Sequence, residues 1–231
     1  MKNLILTTFI AAACIAIAAA LPASGANNTK SSREEEGVVH TANLVYGSGK
    51  TSVCFSDQFL TQIEKDTHIR TYKKFHAVKL ESEKLYEYPF AVMTGEGTFR
   101  LTKTQRINMR DYLNNGGFII ASAGCSSKKW NNSFKQEITR MFPKKKLKEL
   151  DKSHRIFHTV YDITSSKYKS GNKKLPELHG LEVDGKVVLI WSPDGLNDTA
   201  NAGANCCCCG GNEIKSARIL NVNILAYALT H

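Results

Sequence analysis

Apolar residues fall along this chain in two alternating rhythms, one with the period of a strand and one with the period of a helix. Val38 to Tyr46 alternates apolar and polar positions, and Phe55, Phe59, Leu60 and Ile63 then share one helical face. Together they read as a βα unit. Phe75 to Leu80 is a second short strand, and Pro89-Phe90-Ala91-Val92-Met93-Thr94-Gly95 is a continuous apolar run ending on glycine, as in a strand buried on both faces. Thr102 with Gln105 three residues on predicts a capping box. Ile107, Met109 and Leu113 give the helix it opens an apolar side, and Asn114-Asn115-Gly116-Gly117 stops it. Gly117 to Gly124 is the clearest buried strand. Phe134, Ile138, Met141 and Phe142 follow at helical spacing up to Pro143. Leu181 to Val183 and Val187 to Trp191 flank Asp184-Gly185, a hairpin signal, and Ile214, Ala217, Leu220, Ile224, Tyr227 and Ala228 form a last helical stripe. This order predicts an α/β sandwich with a mainly parallel sheet and one antiparallel hairpin.

The first residues follow neither rhythm. Met1-Lys2-Asn3 supplies a positive start, Leu4 to Leu21 is almost continuously apolar, and Pro22-Ala23-Ser24-Gly25-Ala26 offers small residues for cleavage. That is the pattern of a secretory signal peptide over residues 1–25, and it predicts export to a periplasmic or extracellular location. Cys14 reads less well as a lipid-attachment site, because apolar sequence continues past it. Residues 26–36 are polar, charged and aperiodic, a disordered leader, which leaves 37–231 as a single domain. No second long hydrophobic segment follows, so no transmembrane helix is expected in the mature chain. The net charge is +10, with runs at Lys144-Lys145-Lys146 and Lys148 and at Lys167, Lys169, Lys173 and Lys174. Such runs suit an anionic surface or simply keep loops solvated, and no aromatic stacking pattern accompanies them, which argues against nucleic acid.

In a parallel sheet the ligand crevice lies beyond the carboxyl ends of the strands, here Tyr46-Gly47, Thr94-Gly95-Glu96-Gly97 and Gly124-Cys125-Ser126. Gly47-Ser48-Gly49-Lys50-Thr51 superficially resembles a phosphate-binding loop, but the pattern needs a glycine where Leu44 stands. Cys125, placed between a buried strand and a helix start, is a candidate nucleophile. His154 or His158 is then its base, and Glu96 or Glu137 orients the imidazole. The alternative is a half-buried Cys125 or its disulfide to Cys54, with His154 capping a turn.

FAVMTGEGTF at Phe90 to Phe99, the helix from Met109 to Gly117, SFKQEITRMFP at Ser133 to Pro143, SHRIFHTVYDI at Ser153 to Ile163 and SPDGL at Ser192 to Leu196 recur in one family. On these motifs the chain resembles the bacterial domain-of-unknown-function family four-one-five-nine over nearly all of the mature sequence. The resemblance implies a flavodoxin-like three-layer sandwich similar to class I glutamine amidotransferases, in exported or membrane-associated proteins, and no particular activity. Amidotransferases hold their cysteine in Gly-x-Cys-x-Gly, whereas Gly124-Cys125-Ser126-Ser127 lacks the second glycine and no His-x-Glu pair follows. Family members often carry histidine where this chain has Glu96. Glu137 and Arg140 match the family's Glu-x-x-Arg helix, which implies an ion pair beside the crevice.

Cys206 to Cys209, followed by Gly210-Gly211, stand apart from that pattern. Alternate thiolates form a Cys-x-Cys clamp suited to a soft ion, copper before zinc. Vicinal bridges would be strained, but disulfides to Cys54 or Cys125 would not, and with Cys14 removed six of the seven cysteines remain to pair. Three function classes follow. The first is a noncatalytic exported module binding a small ligand or a protein partner, its cysteine cluster stapled or metal-bound. The second is a copper, zinc or thiol-redox protein using Cys206 to Cys209. The third is a Cys125–His154 hydrolase or transferase.

Overall fold

A computed structural model of the chain describes residues 37–47, 55–198, 214–215 and 217–231. The leader, Cys54 and the cluster Cys206 to Cys209 lie outside the described residues. The expected βα alternation is present. Strand β1 (Val39–Val45) leads to helix α1 (Gln58–Asp66), β2 (Thr71–Lys79) and β3 (Phe90–Gly95). Helix α2 (Lys103–Asn114), β4 (Phe118–Ala123) and α3 (Lys128–Met141) follow. The two-residue strands β5 (Lys148–Glu149), β6 (Ser166–Lys167) and β7 (Lys173–Lys174) precede β8 (His179–Val183), β9 (Lys186–Ser192) and α4 (Ala217–Thr230).

A seven-stranded sheet runs β2-β1-β3-β4-β9-β8-β5. Its first five strands are mutually parallel, and β8 and β5 return antiparallel along one edge. The order β2-β1-β3-β4-β9 is that of a flavodoxin-like sandwich. The remaining short strands, β6 and β7, form a separate antiparallel pair.

Both faces of the sheet are covered, as parallel strands require. Ala91, Met93, Ile119, Ala121 and Leu189 meet Met109 and Leu113 of α2 and Phe134 and Ile138 of α3. Phe90, Val92, Ile120 and Ile190 meet Phe59 and Ile63 of α1 and Leu220 and Ile224 of α4 on the other side. Each such side chain contributes about 1.5–3 kcal/mol by leaving water. Thr102 closes the capping box on α2, its hydroxyl accepting from Gln105 N while Gln105 Oε1 accepts from Thr102 N, each at 3.1 Å. Asp184 and Gly185 both adopt positive φ, 48° and 79°, which makes the β8–β9 connection the tight turn that matches strand twist.

Three details depart from the periodicity. Ile107 is exposed, and Tyr112 takes the inward position instead, its hydroxyl donating to Tyr88 O at 2.8 Å. Strand β2 begins four residues before Phe75, because an edge strand tolerates the polar run Thr71 to Lys74. Helix α4 is buried over Leu220 to Tyr227 rather than along one stripe, since α1 lies on one side and the turn Arg155–Phe157 packs on another. Ile214 precedes the helix and bridges to Tyr168.

The polar positions of α4 are put to use inside the protein. Asn223, fully buried, accepts from Val160 N (3.1 Å) and Tyr161 N (2.9 Å) and donates to Tyr161 O (2.9 Å), pinning the loop before β6. Replacing Asn223 with alanine leaves three backbone groups of that loop without their partners. We expect Asn223→Ala to lose about 3 kcal/mol in a urea titration, with residues 158–163 exchanging amide hydrogens faster than the sheet.

Candidate functional site

Strands β1, β3, β4 and β9 end at one edge of the sheet, and the connections leave β1 toward β2 on one side and toward β3 on the other. This switch between β1 and β3 is where ligands enter sheets of this topology. The two faces of the sheet treat it differently.

On the α2/α3 face the edge is filled. Tyr46 donates to Thr94 O at 2.9 Å and accepts from Trp130 Nε1 at 2.6 Å. Burial raises the Tyr46 hydroxyl far above its usual range, so it stays protonated. Phe99 and Phe134 complete the aromatic plug around Trp130. Gly95 is required there: a Cβ on it would lie 2.6 Å from the Tyr46 hydroxyl and 2.9 Å from Trp130 Nε1. The loop after β3 is stitched to α3, with Gly97 N donating to Ser127 Oγ and Phe99 N to Ser133 Oγ, both at 3.2 Å. Gly47 is exposed and in the left-handed region, its N–H 3.4 Å from Gln105 Oε1, and Glu96 is exposed.

Glu137 and Arg140 do pair, and a second arginine joins them. The Glu137 carboxylate, 1 % exposed, accepts from Arg140 Nη1 within α3 and from Arg106 Nη1 on α2 at 3.1 Å. Arg106 also donates to Leu101 O at 2.6 Å, so the carboxylate ties α2, its leading loop and α3 together. It is a clamp between helices that supports the crevice loop from behind.

Cys125 occupies the turn from β4 into α3 with φ 49° and ψ 34°, and Ser126 follows at φ 51°. Two successive left-handed residues without glycine mark a strained strand-to-helix turn of the kind that displays nucleophiles. The proposed base is elsewhere. His154 stacks near Tyr227 at 5.5 Å in the last turn of α4, and Tyr227 contacts Phe118 at the amino end of β4. Cys125 lies past the carboxyl end of that strand, nearly 20 Å away at about 3.3 Å per residue. His154 Nδ1 accepts from Ile156 N and caps the turn Arg155–Phe157, and burial lowers its pKa. His158 bonds to Asp162 at 2.5 Å and to Lys152 O at 2.7 Å. The structure therefore does not bring Cys125 together with either histidine.

The α1/α4 face holds residues that spacing did not single out. Thr94, Ser122 and Ser192 are register partners on β3, β4 and β9, so three hydroxyls share this face at one level. Ser122 Oγ accepts from Leu196 N at 2.9 Å, and Asn197 Nδ2 reaches Ala123 O at 3.4 Å. Asn197 O accepts from Ser56 N before α1 at 3.0 Å, and Asn221 in the first turn of α4 donates to Leu196 O at 2.9 Å. The segment Gly195–Asp198 thus crosses the strand ends, with Asp198 buried at φ 53°. Three oxygens in this fully buried layer, Thr94 Oγ1, Asn197 Oδ1 and Asn221 Oδ1, have no hydrogen-bond partner. Buried polar atoms are rarely left so, and three around one peptide form a concentrated set of vacant acceptors.

Part of the second basic run is engaged rather than free: Lys174 Nζ lies 3.4 Å from Asp194 and over the Tyr168 ring at 4.9 Å. Among the described residues no three His, Cys, Asp or Glu side chains gather as a metal site, and no helix is long and apolar enough to cross a membrane.

A family model described as "Domain of unknown function (DUF4159)" matches residues 40–229. The chain belongs to this family. No curated protein matches the chain. Membership covers every strand of the sheet but the start of β1, and all four helices up to the last residue of α4, so the motifs at Phe90 to Phe99 and Ser192 to Leu196 are the two stretches that frame the crevice. In this DUF4159 domain they carry Thr94 and Gly95 on one side and lead into Asn197 on the other.

Two substitutions separate the plug from the clamp. Gly95→Ala is expected to cost about 1–3 kcal/mol by overpacking against Tyr46 and Trp130, visible as a lower urea midpoint and altered near-ultraviolet dichroism. Glu137→Gln, which strands two arginines that still reach solvent, is expected to cost about 2 kcal/mol and leave the aromatic signal unchanged.

Proposed function

We propose that this domain is a noncatalytic binding module of an exported protein, taking a small ligand rich in hydrogen-bond donors at the carboxyl edge of the sheet on the α1/α4 face. One observation carries the reading: Thr94 Oγ1, Asn197 Oδ1 and Asn221 Oδ1 are buried, unpartnered and grouped around the Leu196–Asn197 peptide at the β1/β3 switch. The amide nitrogens of Asn197 and Asn221 are already spent on Ala123 O and Leu196 O, so both side chains offer only acceptors. Ammonium and hydroxyl groups match them, which makes amines, amino sugars and polyols the ligand class. Export is supported by the charged start, apolar run and small-residue exit at residues 1–26.

Vacant acceptors are a cost to the ligand-free protein that an apolar isostere removes. Thr94→Val should therefore raise stability by about 1 kcal/mol, or about 2–4 °C in thermal unfolding for a domain of this size. The same variant, with Asn197→Leu, should lose the thermal shift that a panel of polyamines, amino sugars and sugars gives the unaltered protein. A destabilised Thr94→Val protein would assign the hydroxyl a structural bond and remove the reading's support.

A second reading rests on the left-handed turn at Cys125, which favours a displayed thiol acting without His154. It predicts that Cys125 reacts with iodoacetamide at pH 7 faster than a free thiol of pKa about 8.5, followed by peptide mapping. His154→Gln should leave that rate unchanged. A Cys125 that reacts only on unfolding sinks this alternative.

A further inference from the structure

A second cluster lies on the opposite edge of the sheet, remote from the strand-end layer. Strands β1 and β2 pair in register from Thr41 and Phe75 onward, but before that Val39 pairs with Thr71. Two steps along β1 thus oppose four along β2, a bulge that reshapes the edge. His40 on β1 and His76 on β2 face the same side as Ala42 and Leu44, beyond the cover of α2. Their ring nitrogens, His40 Nδ1 and His76 Nε2, are 3.0 Å apart. Tyr72, supplied by the bulge, lies over both imidazoles, 5.1 Å and 15° from His40 and 4.8 Å and 26° from His76. Tyr88 flanks His76 at 5.3 Å.

We propose that His40 and His76 form a two-imidazole site for a divalent ion of the copper and nickel class. The distance selects the class. Two nitrogens about 2.0–2.1 Å from one ion stand about 2.9 Å apart at a right angle and about 3.3 Å apart at the tetrahedral angle. The observed 3.0 Å fits adjacent corners of a square-planar or tetragonal site, the geometry of Cu(II) and Ni(II) with nitrogen and oxygen ligands, rather than the tetrahedron of structural zinc. Without the ion the same separation is a hydrogen bond between neutral rings, and a rotation of each ring about its Cβ–Cγ bond aims both lone pairs at one point. The Tyr72 ring restrains that rotation and so prepares the pair. A groove of about 520 Å³ lined by His76, Lys79, Ser82, Lys84 and Tyr88 opens beside the pair, with room for the remaining ligands. Its two lysines suit water or an anion in those positions.

The test uses the full chain with Cys206, Cys207, Cys208 and Cys209 replaced by serine, so that thiols do not compete for the metal. Titration with Cu(II) should give one tightly held ion with a tetragonal electron paramagnetic resonance spectrum showing coupling to two nitrogens. His40→Gln and His76→Gln should each abolish that spectrum while keeping the thermal midpoint within a few degrees. If either variant unfolds, the parent chain still decides the matter: Cu(II) should protect His40 and His76, and not His68 or His158, from diethyl pyrocarbonate. A copper spectrum that survives both substitutions, equal modification of all four histidines, or no retained copper would each overturn the proposal.

Discussion

A parallel sheet leaves neither face to water, and this structure follows from how that requirement is met on each side. The inward residues of β3 and β4 are buried without exception, so every polar group at the strand ends has to find its partner inside the protein. On the α2/α3 face the solution is aromatic and complete. Tyr46, Trp130 and the Thr94 carbonyl satisfy one another, and Gly95 gives up its side chain to let them meet. On the α1/α4 face the solution is polar and incomplete. Asn197 and Asn221 spend their donors on carbonyls and keep their acceptors vacant. The asymmetry gives the candidate site its sidedness: the plugged face supplies rigidity and the other face supplies unmatched chemistry.

Elements governed by neighbours in sequence were legible. The Thr102–Gln105 box, the Asp184-Gly185 turn and the apolar runs at Phe90 and Phe118 all act within a few residues, and each appears where the pattern puts it. Helix α4 was legible as a helix but not as a fully enclosed one, because its second partner, the turn Arg155–Phe157, lies some sixty positions earlier. Tyr112 displaces Ile107 from the core for a similar reason: the distant Tyr88 carbonyl accepts its hydroxyl.

The site divides in the same way. Gly47, Gly95 and Glu96 could be placed at strand ends by a topological rule, and Glu137 with Arg140 by helical spacing, although Arg106 on another helix completes that pair. Asn197 and Asn221 carry no signal of their own, since they meet only through Leu196, which Ser122 holds in turn. His154 misled by sequence proximity. It follows α3 closely, but α3 has already carried the chain back along the sheet, so a residue soon after it arrives at the far end from Cys125.

Helix α4 also fixes when the molecule can exist at all. The α1/α4 face of β1, β3 and β4 has its cover supplied late in the chain, between Ala217 and Thr230, and the central strand β9 precedes that helix only shortly. Until the ribosome has passed Thr230 a nascent chain therefore exposes a broad apolar sheet surface with nothing local to bury it, and the contacts that close it span most of the domain. Folding is thus deferred until synthesis of the domain is complete, leaving an interval in which the polypeptide is held open for whatever handles unfolded chains.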